Sequence, residues 1–209
     1  MLSLDHLTVI APTLADGVAH VHACLGVDVP FGTHHPDMGT YNHRLRLGED
    51  VYLEIIAVDP EAPVPAGPRW FGLGDAAAVR ADWAEGRRLR TWVARTTDMN
   101  ATLAAHAHLL GGDFRLGQVA RFSLLPDGRL PMNGLLPSVI DRGGGGSPAA
   151  GMADLGMRLV SFALEYPAPD EIAVAYASLA VRDAPRVRAG PRPRYVATID
   201  TPDGPRTLT

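Results

Sequence analysis

LDHLTVIAPTLADGVAHVHACLGV, residues 4–27, has a counterpart 85 positions on in LRTWVARTTDMNATLAAHAHLLGG, residues 89–112. Laid over one another, the two stretches match Leu4 with Leu89, Val9 with Ala94, Leu25 with Leu110 and Gly26 with Gly111. Each opens on a short alternating run that predicts a strand. A Thr or Asp suited to a helix N-cap comes next, then apolar residues at helical spacing, then a glycine stop. Further strand-like runs follow each helix: YNHRLRLG and VYLEIIAV after the first, ARFSLL and LLPSVID after the second. Each copy therefore reads β-α-β-β-β, and duplication governs architecture.

A looser third unit begins at MRLVSFALEYPAPDEIAVAYASLAV, residues 157–181, and closes in RYVATIDTPDGPRTLT, a predicted hairpin about a Pro-Asp-Gly turn. The division that follows is a first module over 1–60, a connector with a short helix over 61–87, and a second module over 88–141. A glycine-rich linker then covers 142–156, and the partial third module with its hairpin covers 157–209. The run RGGGGSPAAG lacks the lysine of a phosphate-binding loop and is a linker by its composition.

The totals set bounds. A chain of 209 residues, 46% apolar and 20% charged, is long enough for a sizeable core. Its formal net charge of −4 gives no general attraction to nucleic acid or anionic membranes, so neither is an expected partner. All basic residues are arginine. With Cys24 as the only cysteine there is no internal disulfide and no cysteine-based metal knuckle. No apolar run reaches bilayer length and no leader pattern opens the chain, so a cytoplasmic location is expected.

The segment GTHHPDMGTYNHRLRLGEDVYLEIIAVDP, residues 32–60, raises a chemical question, because Glu54 sits in a strand that is otherwise greasy. A lone buried carboxylate is costly unless it is paired, metal-bound or protonated. Alternation puts Tyr52, Glu54 and Ile56 on one face, which the glutamate marks as the lining of a ligand cavity. An ion pair with Arg44 or Arg46 is the plainer explanation. On the first strand His6 shares a face with Leu4 and Thr8, leaving Asp5, Leu7 and Val9 on the other. Asn42 and Arg44 share a face that can hold a polar or carboxylate group, while His43 points away. His34 and His35 are read as loop residues. His20 with His22, and His106 with His108, lie two apart on helices, cannot chelate one ion, and are expected on solvated surface. Ser147 and Ser161 have no nucleophile context.

The paired β-α-β-β-β modules, with His6 on the first strand and Glu54 on the last strand of the first copy, resemble the vicinal oxygen chelate superfamily. HPDMGTYNHRLRLGEDVYLEIIAVDP, with RLPMNGLLPSVID and TIDTPDGP, is similar to its glyoxalase-like domain proteins. That resemblance implies an α+β half-open barrel of tandem modules around a small-molecule cavity, often with a divalent metal on its floor. It implies ligand positions at His6 and Glu54, and in the second copy at Thr91 and Asp141. Thr91 departs from the pattern, being a poor ligand, and stands instead as a substrate contact. His6, Glu54 and Asp141 would suit Mn, Fe, Ni or Zn, with Glu54 alternatively a catalytic base. The signature segment adds His35 and Asn42 to the cavity rim. The function implied is a metal-dependent lyase, isomerase or dioxygenase acting on a small oxygenated metabolite. The alternative is a metal-free small-molecule binding protein on the same scaffold. A homodimer is compatible with the superfamily's habit of completing cavities between chains.

Overall fold

The computed structural model describes residues 1–209. The first module runs β1 (Leu2–Ile10), α1 (Leu14–Leu25), β2 (Phe31–His35), β3 (Thr40–Arg46) and β4 (Tyr52–Val58). The connector holds α2 (Ala76–Ala84). The second module runs β5 (Leu89–Thr96), α3 (Met99–Leu110), β6 (Gly112–Leu116), β7 (Ala120–Leu124) and β8 (Ser138–Asp141). Capping follows the sequence: the Thr13 hydroxyl accepts from the Asp16 amide at the start of α1, and Gly26, in the left-handed region at φ 70°, ends it. At α3 the Asp98 carboxylate accepts from the Ala101 amide.

The strands of both modules join in one curled sheet of order β2-β3-β4-β1-β5-β8-β7-β6, so each module has the same internal wiring and the two meet at the antiparallel β1–β5 seam. The half-barrel that the resemblance implies is thus built within one chain. His34 and His35, expected in a loop, lie on β2 instead, paired with Tyr41 and Thr40 across a hairpin.

The C-terminal third runs β9 (Arg158–Tyr166), α4 (Pro169–Ser178), β10 (Val181–Arg182), β11 (Arg186–Ala189), β12 (Arg194–Thr201) and β13 (Gly204–Leu208). It repeats the strand-helix-strand sequence of the modules but pairs its strands differently, in a separate sheet of order β11-β9-β12-β13. Only β10 crosses over, adding to β1 beside Leu2 and Ser3. The β12–β13 hairpin turns at Pro202 and Asp203, as the Pro-Asp-Gly signal requires.

Two apolar cores result. The larger fills the convex side of the half-barrel and joins Leu7, Leu53, Ile55 and Trp92 to α1, α3, α4 and the C-terminal sheet. Trp92 is fully buried, donates to the Tyr195 hydroxyl at 3.1 Å and meets Tyr176 and Phe162 edge-on. The smaller core lies in the concave side, where Ile10, Ile56, Val93, Phe122 and Ile140 meet Trp70 and Phe71 of the connector. The connector thereby covers part of the concavity. The space it leaves open is the site.

Candidate active site

One break in alternation decides what faces that space. A register shift between Leu4 and His6 on the β1–β5 ladder marks a β-bulge at Asp5. The extra residue keeps Leu4, Leu7 and Val9 in the convex core and brings Asp5 to the same side as His6. Simple period-two reading separates these two residues and puts Leu4 with His6; the bulge corrects both expectations. His6 Nδ1–H donates to Asp5 Oδ1 at 2.7 Å, and both residues are buried. Arg142 secures the other side of Asp5, donating from Nη2 to Oδ1 at 2.7 Å and from Nε to Oδ2 at 3.2 Å. The same guanidinium donates to the Tyr52 hydroxyl at 3.1 Å. Tyr52 in turn stacks on the His6 ring, with centroids 4.5 Å apart.

His6 Nε2 lies 3.3 Å from Glu54 Oε2, an ion-pair contact off the line of a hydrogen bond, and Nε2 has no hydrogen-bond partner. Glu54 Oε1 accepts the Asn42 amide at 2.6 Å, and Asn42 Oδ1 accepts the Thr33 N–H at 2.9 Å. These contacts account for Glu54 in an otherwise apolar strand: the carboxylate meets an imidazole and an amide, and neither Arg44 nor Arg46 pairs with it.

These groups line a cavity of about 310 Å³, at the small end for ligand sites. Its walls include His6, Tyr52, Glu54, Asn42, Arg44, His35 and Arg142 on one side, and Trp70, Phe71, Phe122 and Ile140 on another. Burial pushes the Asp5 carboxyl up, but His6 and Arg142 overcome it and hold the pKa at about 2. Burial likewise works against a charged His6, and its two carboxylate neighbours, Asp5 and Glu54, more than offset that and raise it. Glu54 is pushed up by burial and brought net downward chiefly by His6, with the Asn42 hydrogen bond adding to it. The centre is therefore a row in which Arg142, Asp5, His6 and Glu54 alternate in the sign of the charge each is biased to carry. His35 is lowered, chiefly by burial, and is neutral in that setting. Its Nδ1 meets Thr40 Oγ1 at 3.1 Å and its ring stands edge-on to Trp70.

Of the residues singled out from sequence, the cavity gathers His6, Glu54, Asn42, Arg44 and His35. It does not gather Thr91 or Asp141. Thr91 is buried opposite Thr8 on the β1–β5 seam, away from the lining, with its hydroxyl 3.5 Å from the Trp92 carbonyl. Asp141 faces α3: its Oδ2 accepts the Met99 amide at 3.2 Å and its Oδ1 the Gly143 amide at 2.9 Å. The ladders explain the misplacement. Glu54 stands opposite Thr8 on β4–β1, whereas the inward residue opposite Val93 on β8–β5 is Ser138. Ser138, not Asp141, is the second-module counterpart of Glu54.

The donor set therefore does not fit the implied metal. Nowhere do three or more His, Cys, Asp or Glu side chains converge for an ion. The second module offers hydroxyls and an apolar residue where a borderline divalent ion needs imidazole, thiolate or carboxylate. The expected trio of His6, Glu54 and Asp141 is not assembled.

Sequence reading missed Asp5, hidden by the bulge, and Arg142, assigned to the glycine-rich linker. It also missed Trp70 and Phe71. An aromatic pair inside the Pro- and Gly-rich EAPVPAGPRWFGLG was the available signal, as was the inward alternation Ser138, Ile140, Arg142. The helix histidines divide: His22 is surface and pairs with Asp28, but His20 is partly buried between the Thr209 carbonyl, Arg88 and Trp83.

Comparison with known proteins agrees with this architecture. Among solved structures, a hypothetical protein from Staphylococcus aureus superposes with a TM-score of 0.61 at 11% identity, covering 93% of this chain and 88% of that one. Methylmalonyl-CoA epimerase in complex with methylmalonyl-CoA and NH4+ gives 0.44 at 18% identity over 69% of this chain and 97% of that one. The Streptomyces coelicolor epimerase in complex with 2-nitronate-propionyl-CoA gives 0.42 at 17% over 66% and 95%. The first likeness shows the fold; the other two are too loose to bear on function. No curated protein matches the chain. The family model described as a glyoxalase-like domain matches residues 4–180, which takes in both half-barrel modules and the start of the third unit. The chain belongs to the glyoxalase-like domain family of the vicinal oxygen chelate superfamily.

Proposed function

We propose that the cavity catalyses proton transfer at a carbon next to a carbonyl in a small oxygenated metabolite, with Glu54 as base and His6 as acid. The carrying observation is the buried, unpartnered Nε2 of His6 beside the Glu54 carboxylate. Two groups whose surroundings drive their pKa values apart make a matched acid and base. Here Glu54 is driven down and His6 up, so one is ready to accept a proton and the other to donate a hydrogen bond.

In the proposed step Glu54 takes the proton from carbon. The C–H electron pair moves into the adjoining C–C bond, and the carbonyl oxygen becomes an enolate oxygen held by the Nε2–H of His6. Return of the proton to the same carbon or to its neighbour completes an isomerisation; loss of a β-leaving group completes an elimination. Electrons stay within the substrate, so no redox partner enters. Asp5, fixed by Arg142, holds Nδ1–H and so sets both the tautomer and the aim of Nε2. This is the lyase or isomerase type of reaction. A ring-opening oxygenation calls for a redox metal site that these donors do not build.

The test is proton exchange in deuterated water, followed by NMR, on chelator-treated protein with a panel of small 2-oxo and 2-hydroxy carbonyl compounds. Exchange above the buffer rate, lowered about 10²–10⁴-fold by Glu54→Gln, is the expected result. Exchange that survives Glu54→Gln undiminished, or none with any compound, refutes the reading.

A second reading, a metal-free binding protein, is favoured by the 2.6 Å bond from Asn42 to Glu54, which weakens the carboxylate as a base. It predicts ligand affinity that Glu54→Gln leaves intact and no exchange at all.

A further inference from the structure

Arg44 stands out among the charged groups of the cavity. It lines the wall, its Nε is buried, and that Nε has no hydrogen-bond partner. Directly across the β3–β4 ladder stands Glu54, the cross-strand carboxylate with which an arginine there would ordinarily pair. The pair is not made. Glu54 is taken by Asn42 on one oxygen and faces His6 with the other. Arg142, the other arginine of the wall, is committed to Asp5 and Tyr52. Asp37, the remaining carboxylate of the lining, is exposed and forms no ion pair with Arg44. One permanent positive charge is left over inside the cavity, held away from its nearest countercharge.

The backbone beside it is shaped to keep that arrangement. Gly32 on β2 lies against Arg44 and Asn42, and a Cβ there would run into Asn42 Oδ1 and come within 2.8 Å of Arg44 Nε. Only a residue without a side chain leaves room for both groups. A partly buried cation without a partner is unfavourable in the empty protein, and an incoming anion removes that penalty while gaining charge-assisted hydrogen bonds. The same cavity carries an apolar cluster in its lining, Trp70, Phe71, Phe122 and Ile140.

We infer that the ligand is a small monocarboxylate with an apolar body: Arg44 receives the carboxylate, and the apolar part lies against the Trp70–Phe122 wall. A single free guanidinium matches one carboxylate, bidentate at most, whereas a phosphoryl group ordinarily draws several donors. The assignment deepens the catalytic reading and rests on it only for the position of the reacting carbon, next to His6 and Glu54.

The experiment is calorimetric titration of the intact protein with alkyl and aryl 2-oxo carboxylates, 2-oxo-4-phenylbutanoate among them, each paired with its methyl ester. Acids are expected to bind about tenfold or more tightly than their esters, the range for a hydrogen bond to a charged group. Arg44→Gln should remove that preference by weakening the acids and leaving the esters unchanged. Arg44→Lys should retain part of it, and together with an unchanged circular dichroism spectrum it shows that the loss is not misfolding. The inference is overturned if no acid binds better than its ester, or if the preference survives Arg44→Gln. Binding is read without turnover, so failure of the proton-exchange test leaves this result standing. Absence of any acid preference in the wild-type protein, with its proton exchange intact, overturns the Arg44 assignment alone.

Discussion

Replacing Asp5 with asparagine perturbs the row of charges at its most buried point. Asp5 has no exposed surface, and its carboxylate is shared between His6 and Arg142 at 2.7 Å each. Its pKa is lowered from 3.8 to about 2 in the folded protein, which at 1.36 kcal/mol per unit corresponds to about 2 kcal/mol of stability. The sign follows from the direction. A depressed carboxyl stabilises the fold above its unfolded pKa of 3.8 and loses that contribution as pH falls through the folded value near 2. His6 runs the other way: raised in the fold, it contributes fully below 6.5 and loses the contribution as pH rises through its higher folded value. The two windows overlap between about pH 4 and pH 6.5, where the Asp5–His6 pair is fully expressed.

Urea unfolding of wild type and Asp5→Asn across that range gives the readout. At pH 6 the variant is expected to be less stable by about 2–4 kcal/mol, because the stranded Arg142 adds to the lost carboxylate. The gap should narrow as pH is lowered toward 3. In parallel, the NMR titration of His6 should shift to lower pH, since one of its two carboxylate neighbours is gone. A variant within about 0.5 kcal/mol of wild type at pH 6, the scatter of ordinary surface substitutions, refutes the electrostatic account. So does an unmoved His6 titration.

Three further outcomes are expected. Glu54→Gln should slow proton exchange about 10²–10⁴-fold while the protein stays folded by circular dichroism, because the amide still accepts from Asn42 and the change removes a buried charge. Gly32→Ala should weaken carboxylate binding in calorimetry with little change in the unfolding midpoint, since the added Cβ meets Asn42 and Arg44 rather than core backbone. Asp141→Ala should cost about 1–3 kcal/mol in urea unfolding by leaving the Met99 and Gly143 amides unpaired, with the exchange rate per folded molecule unchanged.

How much of this was legible depends on the kind of signal each residue leaves. The duplication was visible because strand alternation, N-caps and glycine stops recur 85 residues apart, and they survive divergence of the side chains between. Glu54 announced itself by its burial cost, and Asn42 and Arg44 by their polar chemistry on one face of the strand before it. Asp5 was invisible because a bulge adds one residue to β1 and inverts the parity on which the face assignment rests. Asp141 was misread for a related reason. Alignment of strand ends matches it to Glu54, whereas the hydrogen-bonded ladder matches Ser138, and in a strand an odd offset separates the two faces. Arg142 lay in a stretch whose glycines read as linker, although its side chain continues the inward alternation of β8.

The two modules share one wiring and have divided the work. In the first, β1, β3 and β4 supply His6, Asn42, Arg44, Tyr52 and Glu54 to the lining, β2 and its turn add His34, His35 and Asp37, and the bulge sets Asp5 behind His6. From the second come mainly apolar walls, Phe122 and Ile140, and a single polar contribution, Arg142, whose task is to hold Asp5. Ser138 and Asp141 show what the exchange entailed: the inward position lost its carboxylate, and the outward carboxylate ties β8 to the first turn of α3. A site that drew a ligand from each module could close around an ion. One that draws its imidazoles and carboxylates from a single module instead leaves His6 Nε2 and Arg44 Nε without hydrogen-bond partners, and those two groups are the ones a small carbonyl carboxylate can satisfy together.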